Sequence, residues 1–382
     1  MRVPFNKPHV TGRELAYIQQ AIENRHLSGN GAFTKRCQSW LETGVGCRRA
    51  LLTHSCTAGL EMAALLSNVG PGDEVVMPSF TFVSTANAFV LRGARPVFVD
   101  VRPDTLNLDE SKLEAALSDR TRAIVPVHYA GVACDMDAIG SIASRRELFV
   151  VEDAAQGVMA TYKGRPLGSF GHAAAISFHE TKNVTSGEGG ALLVNHLPWT
   201  ERAEVIWEKG TNRSEFARGT VDKYMWLDLG SSYPVSEVSA AFLWAQLEDA
   251  AAITDKRLAV WQRYHQALAP FEAAGILRRP IVPPECVHNA HMYYLLVTDA
   301  ADRPRLIRTL SDLGVNAVSH YVPLHASPAG RKFGKVSGSM EVTDRISAQL
   351  VRLPMWFDMS EDDTATVVTA IAKWAGTTGG AA

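Results

Sequence analysis

The stretch AISFHETKNVTSGEGGALLV, residues 175–194, decides how the rest of the chain is read. An apolar run ends near Ser177 and opens into a polar loop that carries one lysine, Lys182. A glycine-rich turn with Gly187, Gly189 and Gly190 follows, and a second apolar run leaves it. Short apolar runs bounded by glycine and polar residues read as strands. The ordinary reading of Lys182 is a solvated loop lysine. The sharper one is an amine at a strand end, placed to hold a ligand.

Upstream, short apolar runs alternate with helix-period segments. RALLTHS, DEVVMP, RPVFVDV, RAIVPVHY and LFVVED read as strands. TAGLEMAALLSN, VSTANAFVLRG, ESKLEAALS and DAIGSIASRR read as helices between them. Runs that are nearly all Val, Ile, Leu and Phe fit parallel strands covered on both faces, and strand–helix alternation fits an α/β domain. Thr11-Gly12-Arg13-Glu14 reads as a capping box opening a first helix.

Downstream, SEVSAAFLWAQLEDAAAITDKRLAVWQRYHQALAPFEAAG has a helical pattern, as one long helix or a broken one. It leads to a second unit with AHMYYLLV and VNAVSHYV as strands and RPRLIRTLSDLG and DDTATVVTAIAKWAG as helices. The expectation is a large α/β domain over residues 1–245 and a smaller α+β domain over 246–382. The final GTTGGAA reads as tail.

Composition excludes several function classes. The 382 residues carry 38 Lys and Arg against 40 Asp and Glu, without long runs of one sign, which argues against nucleic-acid and membrane partners. The N-terminal MRVPFNKPHVTGREL has no apolar signal core, and no apolar run has the length of a membrane span. Five scattered cysteines, none in C-x-x-C spacing, fit a reducing cytoplasm and predict no metal site.

In open α/β sheets, ligands sit beyond the carboxyl ends of the strands. Those ends supply Asp153 and Gln156, Ser177 and Lys182, Ser55-Cys56-Thr57 at a helix start, and Phe82. Singly, each has an ordinary reading as a cap, a core ring or a surface lysine. Together they suit pyridoxal 5′-phosphate. That cofactor takes a lysine amine for its Schiff base and a carboxylate at its pyridine nitrogen. Its phosphate suits a helix N-terminus, and its ring a flat aromatic face.

LSGNGAFTKRCQSWLE, PSFTFVSTANA, VEDAAQ, SFHETKNVTSGEGG, LGSSYPVSEVSAAFLWAQLE, HYVPLH and RLPMW span nearly the whole chain. With them the sequence resembles the sugar aminotransferases of the DegT/StrS family. The resemblance implies an aspartate aminotransferase-like, fold-type I large domain with a mostly parallel sheet. It implies that Lys182 forms the Schiff base, Asp153 pairs with the pyridine nitrogen and Gln156 meets the ring hydroxyl oxygen. Cys56, Thr57 and Ser177 would hold the phosphate, and Phe82 would cover the ring. Relatives with GYNYR offer an asparagine to the partner subunit's phosphate. Here GSSYP puts the shorter Ser232 in that place.

FHETKN and GSSY are similar to the branch that aminates C4 of a dTDP-4-oxo-6-deoxyhexose. That likeness implies L-glutamate as donor, pyridoxamine 5′-phosphate as the intermediate cofactor form, ping-pong kinetics, and a cytoplasmic homodimer with sites at the subunit interface. Candidate substrate contacts are His320, Tyr321 and His325 in SHYVPLH, and Asn212-Arg213 in a loop, since arginine suits phosphate and carboxylate. Transaminases that use two amino acids carry an arginine for the α-carboxylate; the resemblance gives no late counterpart for it, and Arg352 in LVRLP is the arginine to test. A 3-oxo or UDP-linked sugar as substrate, another fold-type I reaction, and a non-catalytic cofactor-binding regulator remain alternatives. Retention of Lys182 and Asp153 together argues against the last.

Overall fold

The computed structural model describes residues 2–378. Its principal sheet has eight strands. In chain order they are β1 (Arg49–Thr53), β2 (Glu74–Pro78), β3 (Arg95–Val99), β4 (Thr121–Ile124), β5 (Phe149–Asp153), β6 (Ala173–Ser177), β7 (Gly190–Val194) and a late strand, Lys335–Val336. Across the sheet the order is β1-β7-β6-β5-β4-β2-β3 and then the late strand. β7 runs antiparallel to both neighbours, and the remaining pairings are parallel. The expected mostly parallel sheet is therefore present.

Strand alternation explains the continuous apolar runs. Leu51, Ala173, Ala175, Leu192 and Val194 enter one core with the helix Cys56–Leu66. Ala50, Leu52, Ala174, Ile176, Ala191 and Leu193 enter another on the opposite face, with the helices Ala32–Val45 and Glu237–Glu248. Each strand thus feeds both faces, and polar residues are pushed to its ends.

The forty-residue helical stretch is broken. Glu237–Glu248 ends at Asp249, and Ala250–Ala267 continues from it into the second core. That core packs Trp261, Tyr264, Trp356 and Trp374 against a three-stranded antiparallel sheet, Leu277–Arg278, Tyr293–Val297 and Leu350–Leu353. Helices Asp302–Asp312 and Glu361–Thr378 cover it. Two segments cross between the units. Val3 packs in the second core and bridges Val315, while Lys335–Val336 joins the principal sheet beside β3.

Four local expectations change. The capping box forms only by half: Glu14 accepts from the Thr11 and Gly12 N–H groups, while the Thr11 hydroxyl takes the Arg13 N–H, one residue short. ESKLEAALS shortens to a 3₁₀ turn and a single helical turn, Leu113–Ala116. VNAVSHYV is not a strand; it makes two isolated bridges, Val315 to Val3 and Val318 to Arg352, because the chain beyond them turns His320 and Tyr321 into a cleft. In GTTGGAA, residues 376–378 continue the last helix, and 379–382 lie outside the described residues. Among the described residues, no helix is long and apolar enough to cross a membrane.

Candidate active site

A cleft of about 600 Å³ opens at the carboxyl ends of β2, β5 and β6. Lys182, Asp153, Gln156, Ser177, Cys56, Thr57 and Phe82 all line it, as do His320 and Tyr321 from the late segment. Ser232, Asn212, Arg213 and His325 do not.

Asp153 ends β5, the strand paired with β6, whose following loop carries Lys182. Its carboxylate accepts from the Thr85 hydroxyl at 2.6 Å and from the Ala155 N–H at 3.2 Å. Thr81 sits 2.8 Å from Thr85, so the carboxylate stands at the end of a hydroxyl chain that fixes its direction. The Lys182 amine is pushed below its ordinary pKa, first by burial and further by Arg352. The Cys56 thiol and Asp153 pull the other way. Burial favours the neutral amine because a charge is poorly solvated there. The same burial holds the Cys56 thiol protonated.

The helix Cys56–Leu66 opens at the cleft. Ser55 caps it, accepting from the Ala58 N–H at 3.1 Å. Helix geometry leaves the first N–H groups, those of Cys56 and Thr57, without intrahelical partners. Beside them lies Gly190. A methyl group there would sit 2.4 Å from the Cys56 nitrogen and 2.7 Å from the Ile176 oxygen, so only glycine permits this approach of strand and helix start. The Thr57 and Ser84 hydroxyls stand 2.7 Å apart at the same end.

Gln156 is held by its oxygen, which accepts from the Ala130 N–H at 2.6 Å. Its nitrogen donates to the Tyr321 hydroxyl at 3.3 Å. Burial, with Arg352 and Lys182, pushes His320 down to about 2, so its ring is neutral; Nδ1 is 3.1 Å from the Tyr129 hydroxyl. His291, also in the wall, is depressed by burial and the same cations.

The residues outside the cleft are committed elsewhere. The Asn212 nitrogen donates to Glu215 and its oxygen accepts from the Met225 N–H, so the side chain closes its own loop. Arg213 is exposed beside Glu208. His325 Nδ1 lies 2.7 Å from the Ser79 hydroxyl and Nε2 faces Asp344. Ser232 is exposed at the end of a surface loop. Conversely, Thr81, Ser84, Glu188, His291 and Arg352 line the cleft without a role assigned from the sequence, and Thr85, buried behind it, reaches Asp153. Thr85 lies in PSFTFVSTANA, three residues after Phe82 and so on a neighbouring helical position. No local pattern marks His291 or Arg352.

These groups fit pyridoxal phosphate. The cleft offers an amine biased toward its neutral form, an oriented carboxylate and a helix N-terminus with free N–H donors. No group of three or more His, Cys, Asp or Glu among the described residues is arranged to hold a metal.

Comparison with known proteins agrees with the geometry. The sequence pattern of the DegT/DnrJ/EryC1/StrS aminotransferase family matches residues 8–372. The spore coat polysaccharide biosynthesis protein SpsC of Bacillus subtilis is 33% identical over 377 residues, covering 97% of this chain and 96% of that protein. The aminotransferase TlmJ of Streptoalloteichus hindustanus superimposes with a TM-score of 0.90 at 30% identity, over 98% of this chain and 99% of that one. DesV of S. venezuelae does so with a TM-score of 0.88 at 28% identity, over 98% of each chain. With a family pattern spanning nearly all of the sequence and relatives alike from end to end, the chain belongs to the DegT/DnrJ/EryC1/StrS aminotransferase family.

Proposed function

We propose that the protein is a pyridoxal phosphate-dependent sugar aminotransferase. It moves an amino group from L-glutamate to the C4 keto group of a nucleotide-linked 4-oxo-6-deoxyhexose, with dTDP-4-oxo-6-deoxy-D-glucose as the expected acceptor. The observation that carries this reading is Lys182, an amine biased toward neutrality, sharing one cleft with a carboxylate locked by Thr85. Family membership supports the reaction class, and the name of SpsC, a polysaccharide biosynthesis protein, supports a sugar as acceptor.

Each side chain has a part. Lys182 would bind the cofactor's aldehyde carbon. Asp153 would hold a proton on the pyridine nitrogen, Gln156 would donate to the ring oxygen, and Phe82 would cover the ring. Cys56, Thr57 and Ser177 would surround the phosphate at the helix start, where N–H groups and dipole favour an anion. When bound, the cofactor supplies an electron sink for the carbon that loses its proton. Lys182 Nζ, released by the incoming donor, takes that proton and later returns one, a general base and acid in turn. His320 and Tyr321, both neutral at pH 7, would meet sugar hydroxyls without competing for the carboxylate of Asp153. The protein works as a homodimer in this reading, with Ser232 turned to the partner's phosphate.

A visible spectrum tests this. With added pyridoxal phosphate, a protein-bound band is expected that falls with L-glutamate and returns with dTDP-4-oxo-6-deoxyglucose. A band that survives glutamate sinks the glutamate-dependent reading. The absence of any band returns Lys182 to the ordinary lysines.

A further inference from the structure

Two buried asparagines beside the cleft have no part in the chemistry above. Asn183 follows Lys182 in the loop 178–189 between β6 and β7, and Asn289 precedes the strand Tyr293–Val297 of the second unit. Neither lines the cleft, yet both are buried, Asn289 with 1% of its surface exposed. A buried amide is costly unless its nitrogen and oxygen are paired.

Here the pairing runs between distant segments. The Asn183 nitrogen donates to the Asn289 carbonyl at 2.7 Å. A carbonyl only accepts, so the Asn183 oxygen is the atom 3.3 Å from His291 Nδ1. Burial pushes the His291 pKa well down, so the ring is neutral and Nδ1 donates its one hydrogen. The Asn289 nitrogen donates to the Gln156 and Val158 carbonyls at 2.8 and 2.7 Å, and its oxygen accepts from the His291 N–H at 3.0 Å. Gly131 leaves room for this amide, since a methyl group there would strike the Asn289 oxygen. From the other side, Arg257 donates to the Ala290 and His291 carbonyls at 3.1 and 2.8 Å. Between them Ala290 holds a left-handed φ of 50°, which residues other than glycine rarely adopt. The segment 289–291 is thus bent and fixed against the loops of the principal sheet.

We propose that Asn289 is a positioning residue for Lys182. It ties the loop that carries the amine to the loop that carries Gln156, and so sets one spacing between the amine and the partners of the cofactor ring. The proposal rests on the aminotransferase reading above and adds a group, supplied by the second unit, that aims the amine. β5 and β6 alone do not set this spacing. The last backbone bond between them runs from the Ala154 N–H to the Ala175 oxygen. Past it, among the described residues, the hydrogen-bonded link between the two loops runs through Asn289. A lysine stem is flexible, so the amine is aimed only if its backbone is held. A chain of satisfied buried hydrogen bonds gives that rigidity.

The test compares the full-length wild type with Asn183→Ala, Asn289→Ala and the double variant, none of which adds or removes a charge. Thermal melts set a temperature at which every protein is folded. Hydrogen exchange without cofactor reads the loops. Stopped-flow appearance of the protein-bound band with pyridoxal phosphate reads the attack by Lys182, and circular dichroism of that band reads how the ring sits. Each single variant should speed exchange across residues 179–188 and change the dichroism. Each should also slow band formation by on the order of 10- to 100-fold, as misplacing a reacting group does. The double variant should be no slower than the slower single one, because the two residues act in one chain. Variants that lose only melting temperature, with wild-type exchange, band formation and dichroism, overturn the proposal. So do single effects that multiply in the double variant. If the wild type forms no band while exchange still depends on Asn289, the cofactor reading fails and the tie between the loops stands.

Discussion

His288 shows how burial alone sets the chemistry of a side chain in this protein. Its ring packs 4.5 Å from Trp261, and Nδ1 accepts from the Ala290 N–H. Burial, helped by His265, pushes its pKa down to about 4. His320 and His291 are depressed for the same reason. Unfolding restores each toward about 6.5. Below that pH the unfolded chain binds more protons than the native one, so stability falls as pH falls. For His288 the stability is complete above about 6.5 and is lost as pH drops toward about 4. Urea titrations between pH 7 and pH 5 should show the midpoint falling with acid. His288→Asn, which keeps an acceptor toward Ala290, should flatten that slope. An unaltered slope would remove His288 from the account. The same burial that disables these histidines as acids biases Lys182 toward a usable base.

At the scale of elements, the meeting of β7 with the helix Cys56–Leu66 matters most. Gly190 stands where any larger residue would press on backbone atoms of Ser55, Cys56 and Ile176, none of which can rotate away. Gly190→Ala should lower pyridoxal phosphate affinity and cost on the order of 1–3 kcal/mol of stability, the usual range for overpacking. Gly44→Ala is the control, because its methyl would meet nothing within 4 Å and the helix interior favours alanine. Spectral titration and thermal melts read both. A Gly190→Ala protein that binds the cofactor like wild type would show that the helix start is not shaped by this contact. A second junction is legible only in three dimensions: Glu237 accepts from the Gly31, Phe33 and Thr34 N–H groups, capping the helix Ala32–Val45 from more than two hundred residues away. No local cap exists there, and the sequence shows none.

For the whole molecule, the loop before Ser232 raises the question of assembly. Tyr224, Met225, Trp226, Leu227 and Leu229 are all exposed, Trp226 at 79%, and Phe82 is 57% exposed at the cleft. A run of exposed large apolar residues marks an interaction surface. The proposed homodimer gives this loop a partner. Sedimentation should find a dimer, and Trp226→Glu should weaken it by roughly tenfold or more, as loss of a central aromatic does. A wild-type monomer, or a dimer indifferent to this change, would count against the loop as interface.

Much of this was open to local reading. β1 to β7 were legible because a strand covered on both faces must be apolar at successive positions, and its ends must be polar. AISFHETKN placed Lys182 at such an end, and VVEDAAQ placed Asp153 and Gln156 at another. The glycines after Lys182 followed from the turn they make, with Gly187 at a φ of 78°. What local pattern could not hold is what distant segments do to one another. VNAVSHYV has strand composition, yet makes only two isolated bridges, at Val315 and Val318, because the path into the cleft takes its remaining residues off the sheet. Asn212 and Arg213 have the chemistry of a binding pair but are spent on their own loop and its surface. Arg352 looks like any strand arginine until strand pairing and alternation bring it to the cleft that Lys182 lines, its Nε without a hydrogen-bond partner among the described residues. Residue types, spacing and turn chemistry act over a few positions, so the sequence by itself determined the order of elements and the cofactor kit at their ends. Strand order, the reversal of β7 and the company each charge keeps depend on contacts between remote segments, so only the tertiary structure decided them.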